Sequence, residues 1–85
     1  MRIVFTDVSW EDYLYWQKND RQKAKRINEL IRDIARNPFD GIGKPEALRF
    51  NYTGFWSRRI DEEHRLIYRV VENEIQIVKC RFHYD

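Results

Sequence analysis

An 85-residue chain with 42% hydrophobic and 35% charged residues is long enough for one core and too short for two, and three Trp, five Tyr and five Phe argue against a disordered chain. A formal net charge of +2 is too small to make the whole molecule a nucleic-acid binder, so the placement of charges matters more than their sum. The lone Cys80 excludes an internal disulfide framework, and Met-Arg-Ile-Val-Phe turns polar at Thr6 and Asp7, so the expectation is a cytoplasmic chain without an export signal or membrane span.

In chain order, residues 2–5 (RIVF) predict a short strand that stops at helix-capping chemistry in Thr6-Asp7. WEDYLYWQ then sets Trp10, Tyr13 and Leu14 at helical spacing, with Ser9 and Asp12 in the pattern of a capping box. Asn19 and Asp20 break and recap the chain, which predicts a helical hairpin. Residues 21–36 put Ala24, Ile27, Leu30, Ile31 and Ile34 on one stripe, and Asn37-Pro38 ends the helix. The loop that follows, with Gly41, Gly43 and Pro45, is a candidate functional loop.

After Pro45 the period shifts from about 3.6 to 2, predicting strands at 46–50, 55–60, 64–71 and 74–83 with turns at 51–54, 61–63 and 72–73. Connections this short favour an antiparallel meander. The expected fold class is α+β: a single domain over 1–85, ordered βααββββ, with a two-helix hairpin on a mainly antiparallel twisted sheet.

Strand parity assigns Trp56, Ile60, Leu66, Tyr68, Val70, Val78, Cys80 and Phe82 to the side covered by helices, and Arg59, Arg65, Arg69, Lys79, Arg81 and His83 to the other. Ile75 and Ile77 break the alternation and predict a bend or bulge within the last strand. An Arg-rich face beside aromatics suits RNA, because guanidinium planes grip phosphates and stack on unpaired bases, although a solvated outer face carries the same pattern. His83 can exchange a proton near neutral pH, and Glu46 after the Gly-Lys-Pro turn can accept one; each alone also reads as a plain surface charge. His64 shares the parity of Leu66 and Tyr68 and reads as structural. Two histidines and one cysteine lack metal-ligand spacing, and DGIGKP sits between helix and strand, the reverse of a phosphate loop. Cys80 has apolar neighbours and reads as core.

Taken together, WEDYLYWQ, INELI, NPFDGIGKPEAL, GFWSRRI, EEHRLIYRV and CRFHY closely resemble the YoeB (Txe) toxins of the RelE/ParE superfamily over essentially the whole chain. The resemblance implies a RelE-like fold and a toxin of a type II toxin-antitoxin pair. Such a toxin enters the ribosomal A site and cuts mRNA there without metal or other cofactor, by transfer of the phosphoryl group to the ribose 2'-OH, inhibiting translation. By motif match Glu46 is the general base, His83 and Tyr84 are the C-terminal catalytic pair, Arg65 stabilises the phosphate, and Arg49 and Arg59 contact RNA. The resemblance also implies a homodimer and a YefM-like antitoxin with an acidic, disordered C-terminal segment, operator DNA being reached only through that complex. Trp10 and Trp16 fit a dimer surface or a core equally. Two departures stand out: Arg49 occupies a position where Lys would also serve, and Asp85 extends the chain past the His-Tyr ending. A non-nuclease module on the same scaffold, either a ParE-like gyrase poison or a partner-binding domain, is the competing reading; Glu46 and the terminal His-Tyr weigh against it.

Overall fold

Two acidic or hydroxyl caps fix where the helices begin. Thr6 Oγ1 accepts from the Ser9 amide at 3.1 Å while Ser9 Oγ accepts from the Thr6 amide at 2.9 Å, and Asp20 accepts from the amides of Gln22 and Lys23. The capping box is thus Thr6 with Ser9, one turn earlier than the Ser9-Asp12 pairing read from the sequence. The computed structural model describes residues 1–83. They form β1 (Arg2–Phe5), α1 (Asp7–Asn19), α2 (Arg21–Arg36), β2 (Glu46–Ala47), a 3-10 turn (Phe50–Tyr52), β3 (Trp56–Arg59), β4 (Arg65–Val71) and β5 (Glu74–Lys79). The expected βααββββ order holds.

The sheet is ordered β1-β5-β4-β3-β2, with β1 parallel to β5 and every other pairing antiparallel. A parallel pair needs a crossover, and the helical hairpin supplies it. The stripe predicted for α2 is the buried one: Ala24, Ile27, Leu30, Ile31 and Ile34 pack with Leu66, Tyr68, Ile75, Ile77 and Cys80. Each fully buried aliphatic side chain in this layer contributes about 1.5–3 kcal/mol.

Of the three α1 residues read at helical spacing, Tyr13 packs against the core. Trp10 and Leu14 are exposed, and the helix instead turns Ser9, Asp12 and Trp16 toward β5 and the residues after it. Ser9 Oγ donates to the Ile77 carbonyl at 2.6 Å, Asp12 Oδ2 accepts from the Cys80 amide at 3.0 Å, and Trp16 Nε1 donates to the Cys80 carbonyl at 2.8 Å. Spacing of three and four residues puts these groups on one helical face, and they bond the Ile77 carbonyl, which also accepts the Thr6 amide, and both backbone groups of Cys80 beyond the end of β5.

The irregularity expected in the last strand lies at Val78: Ile67 faces Lys79 while Tyr68 faces Ile77, so one extra β5 residue is accommodated there. The bulge moves the buried parity from Ile75 and Ile77 to Cys80 and leaves Val78 half-buried. All four strands predicted after Pro45 are longer than those observed: β2 ends at Ala47, β3 spans Trp56–Arg59, β4 begins at Arg65 and β5 stops at Lys79. Beyond Lys79 strand parity no longer applies. Arg81 therefore does not join the open face; its guanidinium lies 3.4 Å from the Tyr15 ring of α1, and Phe82 is exposed, not inward.

Arg58 was not singled out in the sequence, yet its side chain has no exposed surface. It shares the inward parity of Trp56 and Ile60 and uses all five guanidinium donors. Nε donates to Tyr68 Oη, Nη1 to Asp33 Oδ2 and the Ile42 carbonyl, and Nη2 to the carbonyls of Asn37 and Asp40. The Arg58 hydrogen bond, aided by the Ile42 amide, holds the Asp33 carboxyl below the ordinary aspartate value against the opposing effect of burial. Burial raises the Tyr68 phenol, and Arg58 offsets part of that rise.

Removing Arg58 strands a carboxylate and several carbonyls, so Arg58→Leu is expected to cost about 3–5 kcal/mol in urea unfolding. Asp33→Asn addresses the same pair by pH. A carboxylate with a lowered folded pKa contributes stability that is complete above about pH 4 and is lost as the pH falls below it. The variant is expected to be less stable near pH 7 and to lose less stability than wild type on acidification from there to about pH 2.

Candidate active site

The open face of the sheet, away from the helices, carries a hollow of about 270 Å³ lined by Lys44, Pro45, Glu46, Ser57, Arg59, Arg65 and His83. Its residues come from three parts of the chain. The glycine loop and β2 deliver Lys44 to Glu46, β3 and β4 form the floor, and the segment after β5 brings His83. Glu46 stands opposite Ser57 in the β2-β3 register, and Arg59 stands opposite Arg65 in the β3-β4 register. Pairs directly across a ladder share a face, so strand geometry alone collects these four side chains.

The loop that presents Glu46 is held from beneath. Arg58 binds carbonyls from residues 37, 40 and 42, and the Gly43 carbonyl accepts from the Arg59 amide at 2.7 Å. Gly41 and Gly43 both have positive φ, and a Cβ on Gly41 would lie 2.0 Å from Asp33 Oδ2. Glycine is required there for space and for backbone conformation.

Arg65 is mostly buried, and its Nη1 donates to the carbonyls of Asp61 at 2.8 Å, Glu62 at 3.3 Å and His64 at 3.1 Å. Asp61 organises that turn by accepting from the amides of Glu63 and His64 and pairing with Lys23 of α2 at 3.1 Å. Partial burial works against ionisation of Asp61, but the His64 amide, Lys23 and the Glu63 amide together hold its pKa below the ordinary value. Arg65 is therefore a fixed cation, whereas Arg59 across from it is exposed.

Of the residues expected from sequence, Glu46, Arg59, Arg65 and His83 meet in this hollow. Arg49 does not; it follows the end of β2 and lines an adjoining depression with Phe50 that shares only Glu46 with the first. Tyr84, expected as a catalytic partner of His83, lies outside the described residues, as does Asp85. Sequence reasoning missed Lys44 and Ser57. Ser57 could have been found from its parity with Arg59, while the position of Lys44 follows from a positive φ of 51° that no pattern announces.

Among the described residues no group of three or more His, Cys, Asp or Glu side chains is arranged to hold a metal ion. No helix among them is long and apolar enough to cross a membrane. Three cations around one carboxylate and one imidazole form a site suited to an anionic substrate and to proton transfer.

The chain matches the model of the YoeB-like toxins of bacterial type II toxin-antitoxin systems over residues 5–84. A toxin YoeB from Synechocystis is 58% identical over 85 residues, covering 100% of this chain and 99% of that protein. Among solved structures, a YoeB/ParE toxin from Agrobacterium tumefaciens superposes with a TM-score of 0.97 at 48% identity, covering 99% of this chain and 100% of the other. A Staphylococcus aureus YoeB, solved as a dimer and in a heterotetrameric YoeB-YefM complex, superposes with TM-scores of 0.93 and 0.92 at 50% identity, covering 99% of this chain and 98% of that one.

Cys80 is the one thiol in the chain, and it is fully buried, with Sγ donating to the Ser9 carbonyl at 3.5 Å. Burial, reinforced by Asp12, pushes its pKa up to about 12. A thiol in this state is not a nucleophile at neutral pH. Iodoacetamide at about pH 7.5 is expected to leave the folded protein unmodified and to alkylate Cys80 only once denaturant opens the core, as read by intact mass.

Proposed function

Because the chain belongs to the YoeB-like toxins of bacterial type II toxin-antitoxin systems, we propose that its basic hollow cuts mRNA in the ribosomal A site and so halts translation. The observation that carries this reading is the convergence of Glu46, Arg59, Arg65 and His83 on one hollow. In the proposed reaction Glu46 takes the proton of a ribose 2'-OH, and the resulting oxygen attacks the adjacent phosphorus. The bond from O2' to phosphorus forms as the bond to the 5'-oxygen breaks, and His83 protonates that leaving oxygen. The ends are a 2',3'-cyclic phosphate and a 5'-OH. Arg65, already fixed by three carbonyls, faces the charge that grows on the phosphate oxygens without having to reorganise. Arg59 grips the same phosphate from the opposite strand, and Arg49 contacts the neighbouring stretch of RNA. Tyr84 assists His83. This route uses side chains alone.

Presentation by the ribosome suits the dimensions. At about 270 Å³ the hollow lies just under the roughly 300–1,000 Å³ range of pockets that enclose free small molecules, and Glu46 in its lining is exposed. A strand positioned by a larger particle supplies the alignment that so shallow a site lacks. We further propose that the toxin acts in the cytoplasm, dimerises, and is silenced by a YefM-like antitoxin whose acidic segment covers the basic face.

Primer extension on an mRNA translated by purified ribosomes tests the reading. Wild type is expected to cut in the A-site codon, and Glu46→Gln and His83→Ala to lower the cutting rate about 10²–10⁴-fold each with unchanged thermal melting. A folded wild-type protein that leaves mRNA intact on occupied ribosomes would overturn the nuclease reading, and gyrase inhibition by that protein would point to the competing one.

A further inference from the structure

We infer that His64 is a positioning residue for the proposed general acid: acting through Phe82, its imidazole fixes where His83 sits in the hollow. His64 Nδ1 accepts the Phe82 amide at 2.7 Å, and the amide of the next residue, Arg65, donates to the Phe82 carbonyl at 3.1 Å. Two consecutive residues at the start of β4 thus hold both backbone polar groups of Phe82. The ladder does not do this, because β5 ends at Lys79 and residues 80–83 have no regular structure.

Phe82 needs that hold. Its φ is +64°, a left-handed conformation that bulky residues adopt only when their surroundings impose it. Phe82 is 49% exposed, with its ring 4.4 Å from the Arg81 guanidinium and 5.8 Å from the His64 ring. The two hydrogen bonds fix its backbone, and the residue they aim is His83, which lines the hollow beside Glu46 and Arg65. Lys79 Nζ adds a contact to the His83 carbonyl at 3.1 Å.

His64 is itself immobile enough to serve. Its side chain is 12% exposed, its ring stands edge-on to Trp16 at 4.8 Å, and Trp16 is anchored to the Cys80 carbonyl. Its own amide is fixed to Asp61 at 2.6 Å. Since Nδ1 accepts, the ring proton belongs on Nε2, which lies 3.6 Å from Glu63 Oε1. Asp61 thus orients both neighbours of the device: the His64 backbone, and through the turn carbonyls the Arg65 guanidinium.

The geometry separates the acceptor from the ring. His64→Phe keeps an aromatic against Trp16 but gives the Phe82 amide nothing to bond, whereas the side-chain oxygen of His64→Asn can take the place of Nδ1. Rigid placement of a proton donor matters at the level of about 1 Å, where misplacement costs on the order of 10²-fold in rate. His64→Phe is therefore expected to slow single-turnover cleavage about that much, with little change in the ribosome concentration for half saturation, and His64→Asn to recover most of the rate.

That kinetic arm rests on the nuclease reading, so it is joined by one that does not. In ¹⁵N-labelled wild-type protein a through-bond coupling between the Phe82 amide nitrogen and His64 Nδ1, with slow exchange of that amide, is expected. His64→Phe should abolish both and shift the His83 ring resonances. An absent coupling in wild type, or His83 resonances and a cleavage rate unmoved in His64→Phe, would overturn the inference. A wild type that shows the coupling but cuts no mRNA would overturn the nuclease reading alone.

Discussion

A guanidinium with no exposed surface must place every donor or lose several kcal/mol, and Arg58 places all five. Its acceptors come from the last turn of α2, the loop after it and the middle of β4, so one side chain of β3 joins helix, loop and sheet. Much else follows from that choice. Asp33 must sit at the edge of an otherwise apolar stripe, between Leu30 and Ile34. Gly41 must lack a Cβ, since Asp33 and Arg58 occupy the space one would take. Tyr68 Oη donates a hydrogen bond to the Pro38 carbonyl at 2.7 Å, which closes the network around the end of the helix. A loop that would otherwise be free to move is wound around a buried charge, and Glu46 begins where that winding ends.

The other end of the hollow is held by different means. There the ladder ends at Lys79, and side chains of α1 together with His64 and the Arg65 amide bond the backbone at Ile77, Cys80 and Phe82. Ser9, Asp12 and Trp16 hold the chain from the helix side, and His64 with the Arg65 amide holds it from the sheet side. The bulge at Val78 makes this possible, because it turns Cys80 into the core while the following residues swing past the strand end. The two halves of the site therefore depend on separate polar networks, one built on a buried charge pair and the other on side chains that bond backbone amides and carbonyls. The arginine pair between them rests on the ladder of β3 and β4.

What could be read from the sequence divides along physical lines. Periodicity and punctuation gave the element order, the buried stripe of α2, the second cap at Asp20 and the existence of a bulge, because these are local properties of the chain. Strand parity put Arg59, Arg65 and His83 on one face, and motif resemblance joined Glu46 to them, since no local rule brings residues 46 and 83 together. Two errors share a cause. Ser9 and Asp12 were read as a cap, and Arg81 and Phe82 by strand parity, because polar side chains that bond distant backbone leave no hydrophobic signature. Arg58 was hidden for the same reason: between Trp56 and Ile60 its parity says buried, and its charge says exposed. Only a partner such as Asp33, itself placed on the inward side of a helix, reconciles the two.

Arg59 and Arg65 face each other across the β3-β4 ladder, an arrangement that is unfavourable when no anion lies between the charges. Nothing in the packing of the core demands it, because the core is on the other face. The helix-covered side supplies the stability, with Leu66 and Tyr68 of β4 fully buried, while the open side of the same strand carries the repulsion. The Nη1 contacts of Arg65 to three carbonyls lessen the cost without discharging the site. A fold that uses one face of a small sheet for cohesion can leave the other with more cations than its one carboxylate, Glu46, offsets, and the proposed phosphodiester substrate would relieve that excess most fully as its own negative charge grows.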